Sequence, residues 1–366
     1  MKQFLISTVF MVIFSAHLTL AAEEKPGPPI VHPHIPTLVE AVRFSGDISL
    51  CGEKIPYTDP EVRERLEKEM LLAVWNQPQV MLWLKRAHRW FPYIESVLKQ
   101  EKLHLDLKYL PIVESALLSH GESHKDAVGY WQFIKSTGQR YGLRIDPKVD
   151  ERREMFGATR AACRYLKDLY SQFGSYLLAM SAYNMGESGL STAMALQETR
   201  DFFSLYLSQE TQRYILKMVA VKLIMSSPEK YGFYLEPQDL YPVFTFSEIT
   251  LSPENDVPLS MIAKACGVSF KTIKDYNPQL RGYFLEKGTS TLFVPEGKNT
   301  DFQKNFAILY KSLTKTTPPS KVHVVKSGEG LSAIARKYNM SVSALLALNK
   351  MSKKDVIHPG DKLRVQ

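Results

Sequence analysis

The chain is poor in cysteine, with Cys51, Cys163 and Cys266 spread over 366 residues. Their number is odd and their spacing wide, with no CxxC, so neither a disulfide framework nor a cysteine-based metal site is indicated. They read as buried small residues, or as one disulfide with a leftover thiol. Beyond the first twenty or so residues there is no apolar run long enough to span a bilayer. Strand-like alternation is nearly missing between 55 and 240, which excludes a sheet-based core there. Acidic residues are outnumbered, Asp+Glu 38 against Lys+Arg 46, giving a net charge of +8. A basic chain can meet nucleic acid, anionic lipid or an anionic polymer.

The opening, "MKQFLISTVFMVIFSAHLTLAAEE", has a positive start, a short apolar run and small residues before Glu23. That is the layout of a cleavable secretory signal over 1–22. Export makes nucleic acid an unlikely partner and points to a periplasmic or cell-envelope protein, with membrane association only through an uncleaved N-terminus. Then "EKPGPPIVHPHIP" packs five prolines into thirteen residues, so 23–54 is expected to be an extended tether.

What is abundant is helix. "DPEVRERLEKEMLLAVWN" opens with an Asp59–Pro60 cap pair. Helical stretches are predicted at 78–90, 92–102, 106–118, 152–173, 176–184 and 208–226, making 55–240 an all-α domain. Farther on, "LSMIAKACGVSFKTIKDYN" from Leu259 aligns with "LSAIARKYNMSVSALLALN" from Leu331, each closed by an Asn, Asn277 and Asn349. Flanking strand-like runs make each a βααβ unit, over 241–300 and 321–366, with 301–320 as a polar linker. Small tethered repeats usually bind a polymer.

Four stretches of the helical domain carry possible chemistry. "PIVESALLSH" sets Glu114 alone among apolar residues, and such flanks favour the protonated acid. "AVGYWQF" places Trp131, Gln132 and Phe133 after a helix-breaking Gly129. Rings and an amide suit a sugar, and suit a buried core equally. "SAYNMGESG" brings Tyr183 and Asn184 to a helix end, facing a cleft or capping the helix. "QETQRYILKM" spaces Glu210 and Tyr214 on one helix face.

In this order, "LPIVESALLSH", "GYWQF", "AYNMG" and "ETQRYILKM" resemble the soluble-lytic-transglycosylase domain, of the membrane-bound lytic murein transglycosylase D type. The unit at 321–366 resembles LysM, a peptidoglycan- and chitin-binding repeat, and 241–300 a diverged copy. The resemblance implies a mainly α protein, a goose-lysozyme-like helical domain with small βααβ modules. It implies cleavage of the β-1,4 bond between N-acetylmuramic acid and N-acetylglucosamine in peptidoglycan strands, with no cofactor and no metal.

On the matching motifs, Glu114 is the acid, followed by Ser115. Gly129, Trp131 and Gln132, then Tyr183, Asn184 and Tyr214, surround the substrate. A single acid suffices if the sugar's acetamido oxygen stabilises C1 and its C6 hydroxyl attacks, leaving a 1,6-anhydro end. The one other acid nearby is Glu122, in a polar run expected to be solvated. Hydrolysis by a goose-type muramidase, and a non-catalytic wall-binding protein, are the rival readings. LysM repeats usually open with Gly-Asp-Thr-Leu, whereas the two copies here read "NDVPL" and "SGEGL", so sugar contacts from those loops are in doubt.

Overall fold

The computed structural model describes residues 34–121, 126–315, 322–338, 340–352 and 354–365. The leader expected at 1–22, most of the proline-rich stretch, Glu122 and the end of the expected linker lie outside the described residues.

The segment expected to be a tether is docked from residue 34 onward. A short helix α1 (Leu38–Ala41) leads to a hairpin of β1 (Ser49–Leu50) and β2 (Glu53–Lys54). Ile48, Leu50, Cys51 and Ile55 are buried in the main core, so alternating apolar residues outweigh the proline-rich composition upstream.

Helix α2 (Pro60–Trp75) begins at Asp59, whose carboxylate accepts from Glu61 N at 2.9 Å and Val62 N at 3.1 Å, as its sequence predicts. The two helices expected at 78–90 and 92–102 are one, α3 (Gln77–Gln100), with Pro92 inside it. An interior proline costs about 3 kcal/mol. Burial of Val80, Trp83, Leu84, Ala87, Ile94 and Leu98 along one stripe outweighs that.

The stretch expected as a helix over 106–118 is shorter. A 3₁₀ turn at Leu105–Tyr109 runs into α4 (Leu110–Ser115), which stops because Ala116 and Leu117 adopt left-handed backbone, φ 54° and 59°. Next come α5 (Lys135–Arg140), α6 (Met155–Phe173), α7 (Tyr176–Met185) and α8 (Glu187–Gln197), the first and last not anticipated. Helix α9 (Gln209–Ser226) carries nine buried residues and packs against α2, α4 and α7 at the domain centre. Glu53 of β2 accepts from Ser175 Oγ at 2.6 Å and from the backbone N–H groups of Tyr176 and Leu177. The N-terminal hairpin therefore caps α7.

The first repeat pairs β3 (Ser247–Leu251) with β6 (Ser290–Val294), and β4 (Val257–Pro258) with β5 (Phe284–Leu285), around α10 (Leu259–Cys266) and α11 (Phe270–Tyr276). The expected linker is helical over most of its length. Helix α12 (Phe302–Lys315) buries Phe302 and Phe306 in the core of the first repeat. The second repeat pairs β7 (Val322–Val324) with β8 (Lys362–Arg364) around α13 (Leu331–Lys337) and α14 (Val342–Leu348).

The matched asparagines do the same work in both copies. Asn277 Nδ2 donates to Ile273 O and Phe293 O while its Oδ1 accepts from Phe293 N. Asn349 makes the corresponding bonds with Leu345 O, Arg364 O and Arg364 N. Each ties a helix end to the closing strand. Glu329 of the second copy's opening loop bonds the buried His323 at 2.6 Å and accepts from Lys326 N at 2.8 Å, so that side chain holds the loop.

Candidate active site

The end of α4 fixes the acid. Ser115 Oγ donates to Tyr130 O at 2.8 Å, lies 3.1 Å from Pro111 O and accepts from Leu118 N. Arg86 Nη1 donates to the Ala116 carbonyl at 3.0 Å. These bonds hold the left-handed turn after Ser115, so Glu114 projects from the last turn of a helix that cannot continue. The hydroxyl of Ser115, expected to hold substrate, is committed to this turn.

Glu114 is partly exposed as a residue and lines two cavities, yet the surrounding protein desolvates its carboxyl. The Tyr214 hydroxyl donates to its Oε1. Burial drives its pKa up to about 7, Tyr214 and Lys217 pull it back, and the charge of Glu210 pushes it up again. Burial also keeps the Tyr183 and Tyr214 hydroxyls protonated, with Glu114 as the next cause.

Beside the acid runs the turn at 126–133. Gly129 has φ 84°, and a Cβ there would meet Arg152 O at 1.8 Å, so glycine is obligatory. Trp131 was expected on the substrate surface, but it is fully buried, its Nε1 donating to Thr159 Oγ1 at 3.0 Å. An indole that finds a buried acceptor packs in the core. Gln132 gives both amide protons to backbone, Gly121 O at 2.9 Å and Gly129 O at 2.8 Å. Tyr183 O–H donates to Trp131 O at 2.6 Å. Asn184 Oδ1 accepts from Thr211 Oγ1 at 3.0 Å, and the residue lines the cleft.

The cleft is a trough of three adjoining cavities of about 520, 280 and 350 Å³. Glu114 borders the first and second; Asn184 and Glu210 border the second and third. Gln132 and Tyr183 line the third, and Tyr214 the second. The structure thus gathers six of the eight expected residues on the trough, Ser115 lining the first cavity, while Gly129 and Trp131 line none of the three.

Sequence reasoning missed Glu69, Arg213, Lys217 and the place of Glu210 in the trough. Arg213 Nε donates to Glu69 Oε1 at 2.6 Å. The spacing of residues 210, 213, 214 and 217, which share one face of α9, was the available signal. Among the described residues, Glu69 and Glu210 are further acids that line the cavities with Glu114.

The three cysteines are free and buried. Cys51, His104 and Asp106 gather as potential metal donors. Asp106 Oδ2 instead accepts from Cys51 N and Lys222 Nζ, each at 2.8 Å, and burial drives the thiol's pKa up. This donor set behaves as a structural hydrogen-bond cluster. No helix among the described residues is long and apolar enough to cross a membrane.

Family profiles match three regions: the transglycosylase SLT domain over 93–205, the lytic transglycosylase MltD LysM-like domain over 247–311, and the LysM domain over 323–366. Membrane-bound lytic murein transglycosylase D of Escherichia coli (strain K12) is 30% identical over 334 residues, covering 87% of this chain and 73% of the relative. Cell division protein DipM of Caulobacter vibrioides is 43% identical over 53 residues, 14% of this chain and 9% of that protein. Among solved structures, an inactive mutant of the lytic transglycosylase Slt from Pseudomonas aeruginosa aligns with 21% identity and a TM-score of 0.32, over 42% of this chain and 26% of that one.

Proposed function

The chain belongs to the membrane-bound lytic murein transglycosylase D family, and from that premise we propose that it is a peptidoglycan lytic transglycosylase whose single proton carrier is Glu114. The observation that carries this reading is a desolvated carboxyl, its pKa raised to about 7, lining two adjoining cavities of a three-cavity trough.

Glu114 gives its proton to the glycosidic oxygen as the C1–O4 bond breaks, so the N-acetylglucosamine side leaves as an alcohol. The acetamido oxygen of the muramoyl residue supports C1 meanwhile. The Glu114 carboxylate then takes the C6 hydroxyl proton as that oxygen bonds to C1, closing the 1,6-anhydro ring without water. Tyr214 steers the carboxyl through its hydrogen bond. The Asn184 amide and the Gln132 edge contact the sugar's acetamido and hydroxyl groups, while Tyr183 fixes the wall between them. Residues 1–22 act as an export signal that delivers the chain to the envelope, and the LysM module at 323–366 retains it on the wall.

The test is Glu114→Gln assayed on a soluble glycan. The amide has the shape of the acid and no proton to give, so turnover should fall by about three orders of magnitude with the fold intact. Wild-type kcat/KM should decline as pH rises through about 7, because the reactive form is protonated. Mass spectrometry should find products lighter by one water than hydrolysed fragments; water-containing products alone would favour the muramidase reading.

A further inference from the structure

The turn at 126–133 is tied to both sides of the site. Ser115 Oγ, at the end of the helix that carries Glu114, donates to its Tyr130 carbonyl at 2.8 Å, and the Tyr183 hydroxyl donates to its Trp131 carbonyl at 2.6 Å. Gln132 of the same turn lines the third cavity. The backbone here is costly. Asp126, Gly129 and Gln132 all have positive φ, 57°, 84° and 49°, and a left-handed glutamine persists only where its surroundings over-determine it.

Arg152 supplies that constraint. Its Nη1 donates to Asp126 O at 2.9 Å and to Phe133 O at 3.0 Å, so one nitrogen joins the two ends of the turn. Its Nε and Nη2 donate to the two carboxylate oxygens of Asp150 at 2.8 and 2.9 Å. Its own carbonyl lies against Gly129, where a Cβ would approach it to 1.8 Å. Arg152 and Asp150 are both buried. A buried ion pair adds little net stability over apolar residues of the same shape, so its use lies in the geometry it imposes. Asp150 is in turn held by the first repeat, whose Gln279 carbonyl accepts from Asp150 N at 2.8 Å.

We propose that Arg152 is a positioning residue for the glycan-cleaving site: it holds the turn, and through it the end of the Glu114 helix and the Gln132 edge of the trough, against an aspartate anchored on the first repeat. The proposal rests on the glycan-cleaving reading of Glu114 and adds a residue that lines none of the three cavities yet sets their geometry. The position is specific to arginine. Lysine keeps the charge, but its three donors on one atom cannot replace four bonds made by a planar fork.

The experiment is steady-state kinetics on one soluble glycan across pH, for wild type, Arg152→Lys, Ser115→Ala and the double variant. Arg152→Lys should lower kcat/KM about a hundredfold while circular dichroism still shows a cooperative unfolding transition. Ser115→Ala cuts the tie between the turn and the acid's helix. Because Arg152 acts through that tie, the double variant should lose less than the product of the two single losses. The falling limb near pH 7 should move to lower pH in Arg152→Lys, since a loosened turn admits water to Glu114. Tyr183, Glu210, Tyr214 and Lys217, the ionisable groups that act on the acid, are untouched by the substitution. A smaller folded fraction would lower the rate without moving the limb.

Kinetics within about twofold of wild type, or losses that multiply with the limb in place, overturn the inference. If Arg152→Lys does not fold, Asp150→Asn takes its place: the amide keeps the shape of the anchor without its charge, and should lower kcat/KM about tenfold with the same movement of the limb. Unchanged kinetics in that variant would equally overturn the inference. A folded wild-type enzyme inactive on the glycan would instead remove the glycan-cleaving reading beneath it.

Discussion

The two repeats share a register and an asparagine staple, yet one is welded to the catalytic domain and the other folds around a core of its own. In the first, Val149 bridges Leu280, Asp150 N donates to Gln279 O and Arg281 N to Lys148 O, each at 2.8 Å. Phe156 of α6 packs on Phe246 and Phe293 with ring centroids 4.6 and 4.8 Å apart. Helix α12 packs on α10 of that repeat. The second repeat gathers Val325, Ile334, Ala335, Leu345, Leu363 and Val365 into a separate small core. The repeated residues specify the module, and the unrepeated ones decide whether it is wall, as in the first copy, or appendage, as in the second.

Truncation should separate the two most sharply. Removing 316–366 should leave turnover of a soluble glycan within about twofold while weakening retention on sacculi, since a tethered binder acts through local concentration. Removing everything from 243 onward should abolish soluble turnover, because it strips Phe156 and the 148–150 backbone of their partners. If the shorter chain retains full activity, the weld is incidental.

The staples give a middle-sized contrast. Asn277→Ala leaves the Phe293 backbone N–H and C=O without their partner at a fully buried residue, and should cost about 3 kcal/mol. Asn349→Ala, whose strand contacts are exposed, should cost about 1 kcal/mol. Thermal unfolding monitored by circular dichroism would rank them, and equal costs would contradict the difference in burial. The smallest effect belongs to Glu286, which faces Arg144 and Lys148 across the weld at the surface. Glu286→Gln should change stability by less than about 1 kcal/mol and fade further in salt.

The helices of the catalytic domain were legible where an apolar stripe and a cap agreed, as at Asp59–Pro60 and along α9. The hairpin at 49–54 and helix α12 were not, because proline-rich neighbours coloured the reading of 23–54 and 301–320. Ile48, Leu50 and Ile55, and the i, i+4 pair Phe302 and Phe306, nonetheless carried the signal of burial. At the site, an acid isolated among apolar residues announced itself. Trp131 misled because an aromatic beside an amide reads alike in a core and in a sugar site, and only the distant Thr159 acceptor decides between them. Arg213 and Glu69 are separated by 144 residues in the chain, beyond the reach of any local pattern.

The enclosure of Glu114 also has a thermodynamic side. An unfolded chain releases that proton near 4.5, the folded one near 7, so between these values the fold holds a proton that its unfolded form has lost. Stability that is full below the lower value drains away as pH climbs through the window, by about 3 kcal/mol once the upper value is passed. In mildly acidic surroundings the contribution of Glu114 to stability and its readiness to give a proton are therefore present together. Alkalinity disarms the acid and removes its share of the fold's stability, and the buried Glu154, also raised to about 7, adds to the loss.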